Sequence, residues 1–528
     1  MSVTRRSFVL GSVAGLLPSG CSLPTGTIPS RDAPSDVFSL GVASGDPQPQ
    51  GVVLWTRVAP EPLSDTFTYD DIPVDWAVSR NERMDEPVVR GGATARAASS
   101  HCIHVEVDGL EPNTEYFYQF AAMGERSRVG RTRTFPSIGA PTDAYSIALV
   151  SCQDYSAGYF TAYRDIVTQN PDLIVHVGDY IYETGGGSVR PYPVAEAMTL
   201  ADYRALYAQF RLDPDLQDAH AQFPWAVIWD DHEVVNDWGP DHYLPSSLNA
   251  AISGEAHRER KNVALQAFFE YMPIRVSNRP QTGDTRIYGQ TAIGDLAELN
   301  RLDVRSFRAR PACVLDERNH FRMCADAQDP SRSLLGLSQE SWLAGSLGQT
   351  DSSWRFLVQA SVMAPLDVRA GPKIRHEADG WDNYAAARQR LIDLIVNRRL
   401  RDVVSLGGNI HAFYAGVVYD RRDEAQRQAV LTEIVTTSVT ASGGGEERYR
   451  DILGRRGENP GLQYFDNRYR GYALLKITPE SISARLRTVD DIGIPGSAVR
   501  TLKTLDIRRG AAGIVVHDGD VPASSLRA

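Results

Sequence analysis

Two hydrophobic patterns follow each other along the chain. Between Phe38 and about Phe135, short strand-like runs are separated by turns, as at residues 52–55 and in the alternating run at 103–107. From Ala144 onward, short and wholly apolar runs alternate with longer stretches of helical periodicity. Strands that are apolar on both faces are buried on both faces, which is typical of α/β domains. The pattern therefore predicts a β-domain followed by an α/β domain.

The apolar runs of the α/β part end at polar clusters. The predicted strands cover residues 146–150, 173–177, 226–229 and 403–406, and helices are predicted at 200–210 and 384–398. The polar clusters occupy residues 151–154, 178–183, 229–237 and 407–411. Because binding sites in such sheets lie at the carboxyl ends of the strands, we expect these distant segments to meet in one cleft.

Length and composition divide the chain further. A chain of 528 residues is too long for one ordinary core. Residues 22–35 are rich in Ser, Pro and Thr and are typical of a tether, and residues 109–118 resemble the turn and tyrosine strand of a fibronectin-type sandwich. We predict a signal and linker over 1–35, a β-sandwich over 36–137, a catalytic domain over 142–510 and a tail over 511–528.

The first residues are typical of an export signal. Arg5 and Arg6 precede a mildly apolar run through Leu17, which is the pattern of a twin-arginine signal and is too short to span a bilayer. We therefore expect the twin-arginine export machinery as a partner and a periplasmic or secreted location. Cys21 offers a lipidation site, but Pro18 stands where a branched apolar residue is expected, so membrane attachment stays open.

The net charge of -11 argues against specific nucleic-acid binding, which draws its affinity from basic surface. An acidic protein can still act on an anionic substrate where metal cations reverse the local field. In an oxidising compartment we expect a disulfide between Cys313 and Cys324, and we expect Cys102 to be a buried apolar filler. Cys152 differs from these because it follows a predicted strand.

The polar clusters resemble those of calcineurin-type metallophosphoesterases, and within them the alkaline phosphatase D, or PhoD-like, phosphodiesterases. The shared motifs are Gly178-Asp179 followed by Tyr182, the block at 229–233 with its following Asn-Asp, and a late Gly-x-x-His ending at His411. Further similar segments lie at 41–46, 54–57, 302–305, 437–438 and 467–472. The resemblance covers nearly the whole chain after the tether. It implies an α/β metallophosphoesterase-type layered β-sheet core flanked by helices, with a small N-terminal fibronectin-like β-sandwich.

The resemblance also implies a centre with two or more metal ions that bind a phosphate ester and activate a water molecule. Asp179 would bridge two ions, with Cys152 and Tyr182 on one of them. A thiolate and a phenolate together favour Fe3+ at this position. The alternatives are an inert buried thiol for Cys152 and a packed core tyrosine for Tyr182.

The second metal position would use oxygen ligands from Asp231 or Asn236, a donor set that suits Ca2+. The sequence does not decide which of the two binds directly, and Zn2+ or Mn2+ could replace either ion. His411 would complete one position. Asn409 stands where the family usually has an aspartate, so it either weakens one cation or exchanges one oxygen ligand for another.

Two residues are predicted to act on the substrate. His232 would contact the phosphate and protonate the leaving oxygen, with a purely supporting hydrogen bond as the alternative. Tyr180 stands where some family members carry a phosphate-binding arginine, so that positive charge would come from Arg305 or Arg470. For both arginines the alternative is a structural salt bridge.

These features predict an exported hydrolase of small phosphate mono- or diesters. One alternative is a phospholipase D-like or cell-wall phosphodiester hydrolase. The other is a non-catalytic surface-binding protein with a decayed site, which only Asn409 favours.

Overall fold

A computed structural model describes residues 36–63, 70–241, 254–275, 286–312, 320–321, 324–368, 375–377, 379–420, 427–511 and 513–520. The predicted export signal, Cys21 and Cys313 lie outside these residues. Cys324 is disulfide-bonded, as expected, and Cys102 and Cys152 are free. The partner of Cys324 therefore lies outside the described ranges, and its pairing with Cys313 stays a prediction. No helix in the described ranges has the length and apolar character to cross a membrane.

The elements are numbered in chain order. The strands are β1 (Val42–Gln48), β2 (Gly51–Arg57), β3 (Ile72–Ser79), β4 (Pro87–Ala95), β5 (Cys102–Asp108), β6 (Glu115–Ala122), β7 (Glu125–Arg126), β8 (Gly130–Arg133), β9 (Tyr145–Val150), β10 (Leu173–Val177), β11 (Pro224–Ile228), β12 (Gly289–Ile293), β13 (Ala297–Arg301), β14 (His320–Phe321), β15 (Trp354–Val358), β16 (His376–Glu377), β17 (Val403–Gly407), β18 (Phe413–Tyr419), β19 (Ala429–Val435), β20 (Leu462–Asp466), β21 (Arg470–Ile477), β22 (Ser481–Val489), β23 (Val499–Arg508) and β24 (Val515–Asp518). The α-helices are α1 (Thr161–Gln169), α2 (Leu200–Arg211), α3 (Pro214–Gln222), α4 (Glu255–Tyr271), α5 (Leu337–Ser346), α6 (Ala385–Asn397) and α7 (Gly445–Gly454). The predicted strands and the two predicted helices are confirmed.

Two large sheets form the body of the protein. The first has ten strands in the order β24-β23-β22-β21-β9-β10-β11-β1-β2-β5, and the second has seven in the order β12-β13-β15-β17-β19-β18-β20. In each sheet the central strands are parallel: β9, β10 and β11 in the first, and β13, β15, β17 and β19 in the second. Both sheets contribute to one continuous hydrophobic core. Strands β10 and β11 are buried along their whole length, as their apolar runs predict.

Local sequence signals set the helices beside these sheets. Helix α2 begins with a capping box in which Thr199 and Asp202 satisfy each other's backbone N–H groups. Helix α3 begins at Pro214 after the cap residue Asp213, whose side chain accepts from the Leu216 N–H group. These helices begin where the sequence offers a partner for the unpaired N–H groups of the first turn.

The N-terminal strands are divided between two sheets. Strands β3, β4, β6, β7 and β8 form a five-stranded sheet, whereas β1, β2 and β5 belong to the ten-stranded sheet, where β1 pairs in parallel with β11. A separate hydrophobic core joins the two groups. The Glu111 N–H group donates to the Tyr116 hydroxyl at 2.9 Å, which is the tyrosine contact of a fibronectin-type corner. The sandwich therefore shares a sheet with the remainder of the protein.

A buried histidine beneath the strand ends predicts that the protein loses stability as the pH falls. His176 on β10 is 1% exposed, and burial lowers its pKa from the usual 6.5 to about 3. Between these pH values the unfolded chain binds a proton that the folded protein does not, so stability falls as the pH falls through this window. We expect His176 to account for about 2 kcal/mol of stability lost between pH 7 and pH 5.

The measurement is urea unfolding at both pH values. His176→Asn should reduce the loss of stability, because asparagine does not titrate. The same substitution at His517, an exposed residue of β24, should leave the loss unchanged. An equal loss in wild type and His176→Asn would contradict this assignment.

Candidate metal centre

The polar clusters meet where the two sheets approach each other. Gly408, after β17, lies so close to the ends of β9 and β10 that a Cβ atom there would stand 2.4 Å from Ser151 Oγ and 2.9 Å from Val177 Cγ2. Only glycine fits at this distance. The predicted convergence of residues hundreds of positions apart is therefore observed.

Left-handed backbone conformations are concentrated at this meeting point. The φ angles are 57° at Cys152, 58° at Asp179, 58° at Asp237, 66° at Asn409 and 52° at His411. Such angles are uncommon for residues other than glycine, and they cluster at functional sites because the surrounding structure must hold them. The strand-end turns thus direct the side chains of these five residues at a cost in backbone energy.

The first group of potential ligands joins Cys152, Asp179 and His411, whose donor atoms all lie within 4.8 Å of one another. The Tyr182 hydroxyl belongs to the same group, because it donates to Asp179 Oδ2 at 3.1 Å and lies 3.2 Å from His411 Nε2. The His411 ring is oriented by a 2.6 Å hydrogen bond from Nδ1 to the Ser442 carbonyl. One sulfur, one phenol oxygen, one carboxylate and one imidazole therefore surround a common point.

Two further groups adjoin the first. Asp179, Asp231 and His232 form the second, and Asp231, Asp237 and Asp379 form the third, each with donor atoms within 4.8 Å. Asp179 belongs to the first and second groups, and Asp231 belongs to the second and third. The carboxylates at 179 and 231 thus link three adjacent positions, as bridging ligands would.

The electrostatics of these buried acids favour bound cations. Burial, and next the charge of Asp231, raises the pKa of Asp179 well above its usual range. Burial and then Asp379 have the same effect on the pKa of Asp237. Oδ1 of Asp231 is buried without a hydrogen bond within the described residues and lies 3.4 Å from Arg305 Nη2. A bound cation would relieve the charge repulsion among these acids, so the donor set fits metal ions.

The thiol and the phenol show the same dependence on a cation. Burial, followed by the charge of Asp179, raises the pKa of both Cys152 and Tyr182 well above the usual values. Both groups are therefore protonated unless a metal ion displaces the proton. The Cys152 Sγ atom lies 2.8 Å from Ser151 Oγ.

His232 is held at the edge of the cleft by Glu183. Its Nδ1 atom lies 2.6 Å from a Glu183 carboxylate oxygen, and its ring stacks on Tyr182 with centroids 4.1 Å apart. The other Glu183 oxygen accepts from the Asn236 backbone N–H group at 2.9 Å. Burial alone would lower the pKa of His232, but the carboxylates of Glu183 and Asp231 raise it well above the usual value. Asn236 lines the same cleft.

Arg305 does not face the cleft. It is 1% exposed, and its guanidinium contacts Asp230 at 2.5 Å, Asp231 at 3.4 Å and both oxygens of Asp379. Arg308 also contacts Asp379, at 2.5 Å. The geometry thus favours the salt-bridge alternative for Arg305 over direct phosphate contact, because its donors are occupied by carboxylates.

Arg470 is occupied in a similar way. Its Nη1 atom donates to the His411 carbonyl at 2.9 Å and to Ser438 Oγ at 2.6 Å, and Nη2 donates to the Asn467 carbonyl. A Cβ atom at Gly443 would lie 2.3 Å from Arg470 Nη2, so glycine is needed where the arginine passes. Arg470 thus supports the loops around His411, and its guanidinium group is not part of the cleft lining.

Asn409 takes part in the third group through its amide. Nδ2 donates to Asp379 Oδ2 at 3.0 Å. An aspartate at 409 would place a further carboxylate beside Asp379, whereas the amide supplies a hydrogen bond. Asn409, which stands where the family usually has an aspartate, therefore links the turn after β17 to the third group of acids through this hydrogen bond.

Sequence reasoning missed several residues of this site. Glu233 is fully buried and accepts the backbone N–H groups of Asp179, Tyr180 and Asp230 at 3.1, 2.6 and 2.7 Å. The sequence signal that could have found Glu233 was its position in the segment 229–233, which is one of the motifs shared with the metallophosphoesterases. Other residues without a predicted role were Glu183, Asp237 and Arg448.

A cleft of about 200 Å³ opens over these groups. Its lining includes Asp231, His232, Asn409, His411 and Arg448. Arg448 lies on α7, beyond the Gly-rich turn, and its charge is one of those that lower the pKa of His411, after burial and Arg470. The cleft thus joins acids, histidines and one arginine, which is an arrangement that suits an anionic ester above metal ions.

The comparisons with known proteins agree with this geometry. A family model for the PhoD-like phosphatase matches residues 147–486, and one for its N-terminal domain matches residues 23–136. The chain belongs to the PhoD-like phosphatase family. It is 37% identical to alkaline phosphatase D of Bacillus subtilis (strain 168) over 524 residues, covering 97% of this chain and 88% of that protein.

Solved structures extend the family assignment to the fold. A structure of PhoD is 37% identical, covers 91% of this chain and 92% of that chain, and has a TM-score of 0.85. A purple acid phosphatase from yellow lupin seeds is 11% identical, covers 85% of this chain and 71% of that chain, has a TM-score of 0.52, and shares the fold alone. The predicted family and fold class are confirmed, and the protein is a phosphoric ester hydrolase.

Proposed function

We propose that this protein hydrolyses small phosphate mono- or diesters outside the cytoplasm with a multinuclear metal centre. The observation that carries the proposal is the linkage of three ligand groups through Asp179 and Asp231. Arg5 and Arg6 support export, and the disulfide at Cys324 agrees with an oxidising compartment. The phosphate ester would enter the cleft above the linked groups.

The donor sets suit unlike metal ions. The first group combines a thiol, a phenol and an imidazole with a carboxylate, which favours Fe3+. The third group contains carboxylates only, and such oxygen donors favour Ca2+. When bound, the ions would lower the pKa of water and neutralise charge on the phosphoryl group.

The protein's own side chains would orient the ester and move protons. His232 lines the cleft with Nδ1 engaged by Glu183, which leaves Nε2 for the substrate. The Glu183 carboxylate, which belongs to none of the ligand groups, raises the pKa of this imidazole against the effect of burial and so favours the protonated form that a proton donor to the leaving oxygen needs. Arg448, and not Arg305, would supply the positive charge that holds the phosphate.

Metal analysis of the purified protein tests the proposal. We expect both iron and calcium to be bound to the purified protein, together with hydrolysis of bis-p-nitrophenyl phosphate that a chelator abolishes. The protein should show a visible absorption band from phenolate-to-Fe3+ charge transfer, and Tyr182→Phe should remove it. Tyr180→Phe is the matched control, because the Tyr180 hydroxyl faces His220 and should leave the band intact. Zinc in place of iron, without a band, would overturn the iron assignment.

Arg448→Gln tests the phosphate contact. We expect KM for p-nitrophenyl phosphate to rise about tenfold with a smaller change in kcat, because a charged hydrogen bond to the substrate is lost. Arg450→Gln on the same helix is the control, since Arg450 is exposed and pairs with Glu446. Equal KM values for the two variants would remove Arg448 from the binding site.

A further inference from the structure

A second cavity lies between the N-terminal strands and the hairpin of the seven-stranded sheet. It has a volume of about 260 Å³ and is bordered by the end of β1 and by strands β12 and β13. The charged side chains in its lining are Asp46, Arg275, Arg286 and Arg301. Three cations thus face one carboxylate in a protein whose net charge is -11.

The two deeper arginines are only partly neutralised. Nη1 of Arg275 contacts Glu106 at 3.2 Å, and Nη1 of Arg301 contacts Asp46. The Arg275 and Arg301 side chains are 10% and 12% exposed. Nε and Nη2 of Arg275 and Nε of Arg301 are buried without a hydrogen-bond partner in the described part of the chain.

We propose that this cavity is a binding site for inorganic phosphate or the phosphate group of a small molecule. Buried guanidinium N–H groups without acceptors call for an oxygen ligand, and the Nε and Nη2 donors of Arg275 together with Nε of Arg301 suit a tetrahedral oxyanion. Asp46 fixes the site, because its second oxygen accepts the Arg275 backbone N–H group at 2.8 Å. The choice of phosphate among oxyanions rests on the proposed function, since hydrolysis releases phosphate beside the protein.

The site is distinct from the metal centre but joined to it by the chain. Strand β13 ends at Arg301, and the chain continues through Asp303 to Arg305, which contacts Asp230, Asp231 and Asp379. None of the ligand groups of the metal centre includes a residue of the second cavity. The two sites therefore share no ligating residue.

Isothermal titration of inorganic phosphate into the full-length Asp179→Ala protein tests the proposal. This variant disables the metal centre and should still bind phosphate at the second cavity. Arg275→Gln in the same background should weaken binding at least tenfold. Gln48→Glu, which places a negative charge in the lining, should have the same effect without removing a buried side chain. Gln50→Glu is the control, because Gln50 is exposed outside the cavity and should bind phosphate unchanged.

The outcomes separate this proposal from the proposed function. Absence of phosphate binding to Asp179→Ala, or binding unaffected by Gln48→Glu and Arg275→Gln, would overturn the second site. If Arg275→Gln does not fold, Gln48→Glu alone decides. Hydrolysis that survives Asp179→Ala would instead overturn the metal-centre mechanism and leave the phosphate measurement valid.

Discussion

Asp179→Asn is expected to lower the rate of bis-p-nitrophenyl phosphate hydrolysis at least about 10³-fold, because a loss of about 4 kcal/mol of transition-state stabilisation corresponds to that factor. Asp179 belongs to both the first and second ligand groups, so the substitution affects two metal positions at once. Its backbone is already held in a left-handed conformation that asparagine tolerates. The change therefore removes charge without changing the shape of the turn.

Metal content measured on the same sample separates loss of binding from loss of folding. Asp179→Asn should retain the circular dichroism spectrum of the wild type and bind less metal. Asp154→Asn is the matched control, because Asp154 follows the same strand end as Cys152 but belongs to none of the ligand groups. Wild-type turnover and metal content in Asp179→Asn would refute its role as the bridging carboxylate.

Glu233→Gln is expected to lower the free energy of unfolding by about 2–4 kcal/mol and to reduce metal affinity. The two carboxylate oxygens accept three backbone N–H groups from the turns after β10 and β11. A glutamine amide replaces one oxygen with an N–H₂ group that faces these donors, so buried N–H groups lose their acceptor. The turn that carries Asp179 then loses its support.

Glu433→Gln provides the comparison for this prediction. Glu433 is also fully buried and accepts the backbone N–H groups of Met363 and Ala364 at 2.7 and 2.9 Å. We expect a similar loss of stability by urea unfolding but unchanged metal content, since Glu433 contacts no member of the ligand groups. Equal metal content in Glu233→Gln and wild type would show that Glu233 supports the fold without positioning Asp179.

The location of the site follows from the sequence because strand ends are encoded locally. An apolar run of about five residues with a polar cluster after it defines both a buried strand and its functional end, at 173–177 with Asp179 and at 403–406 with His411. The resemblance to the metallophosphoesterases then implied ligand roles for Cys152, Asp179, Tyr182 and Asp231. Each stands within a few residues of such an end.

The partners of each side chain were decided only by the tertiary structure. Nothing in the local sequence indicates that Asp379 joins Asp231 and Asp237, or that the guanidinium of Arg305 is occupied by three carboxylates. Arg448 enters the cleft because a glycine turn starts α7 beside His411. Side-chain direction depends on rotamers and on packing between segments far apart in the chain, and periodicity carries no information about either.

The sequence by itself determined which strands are buried and that polar clusters follow them, and its resemblance to the metallophosphoesterases implied the chemistry of a phosphoric ester hydrolase. Apolar periodicity and short motifs record burial and ligand type at each position. The tertiary structure decided that β1, β2 and β5 belong to the ten-stranded sheet. It also decided that Asp179 and Asp231 link three ligand groups, and that Arg275 and Arg301 line the same second cavity. Strand pairing and convergence of charges depend on contacts between distant segments, which no single stretch of sequence contains.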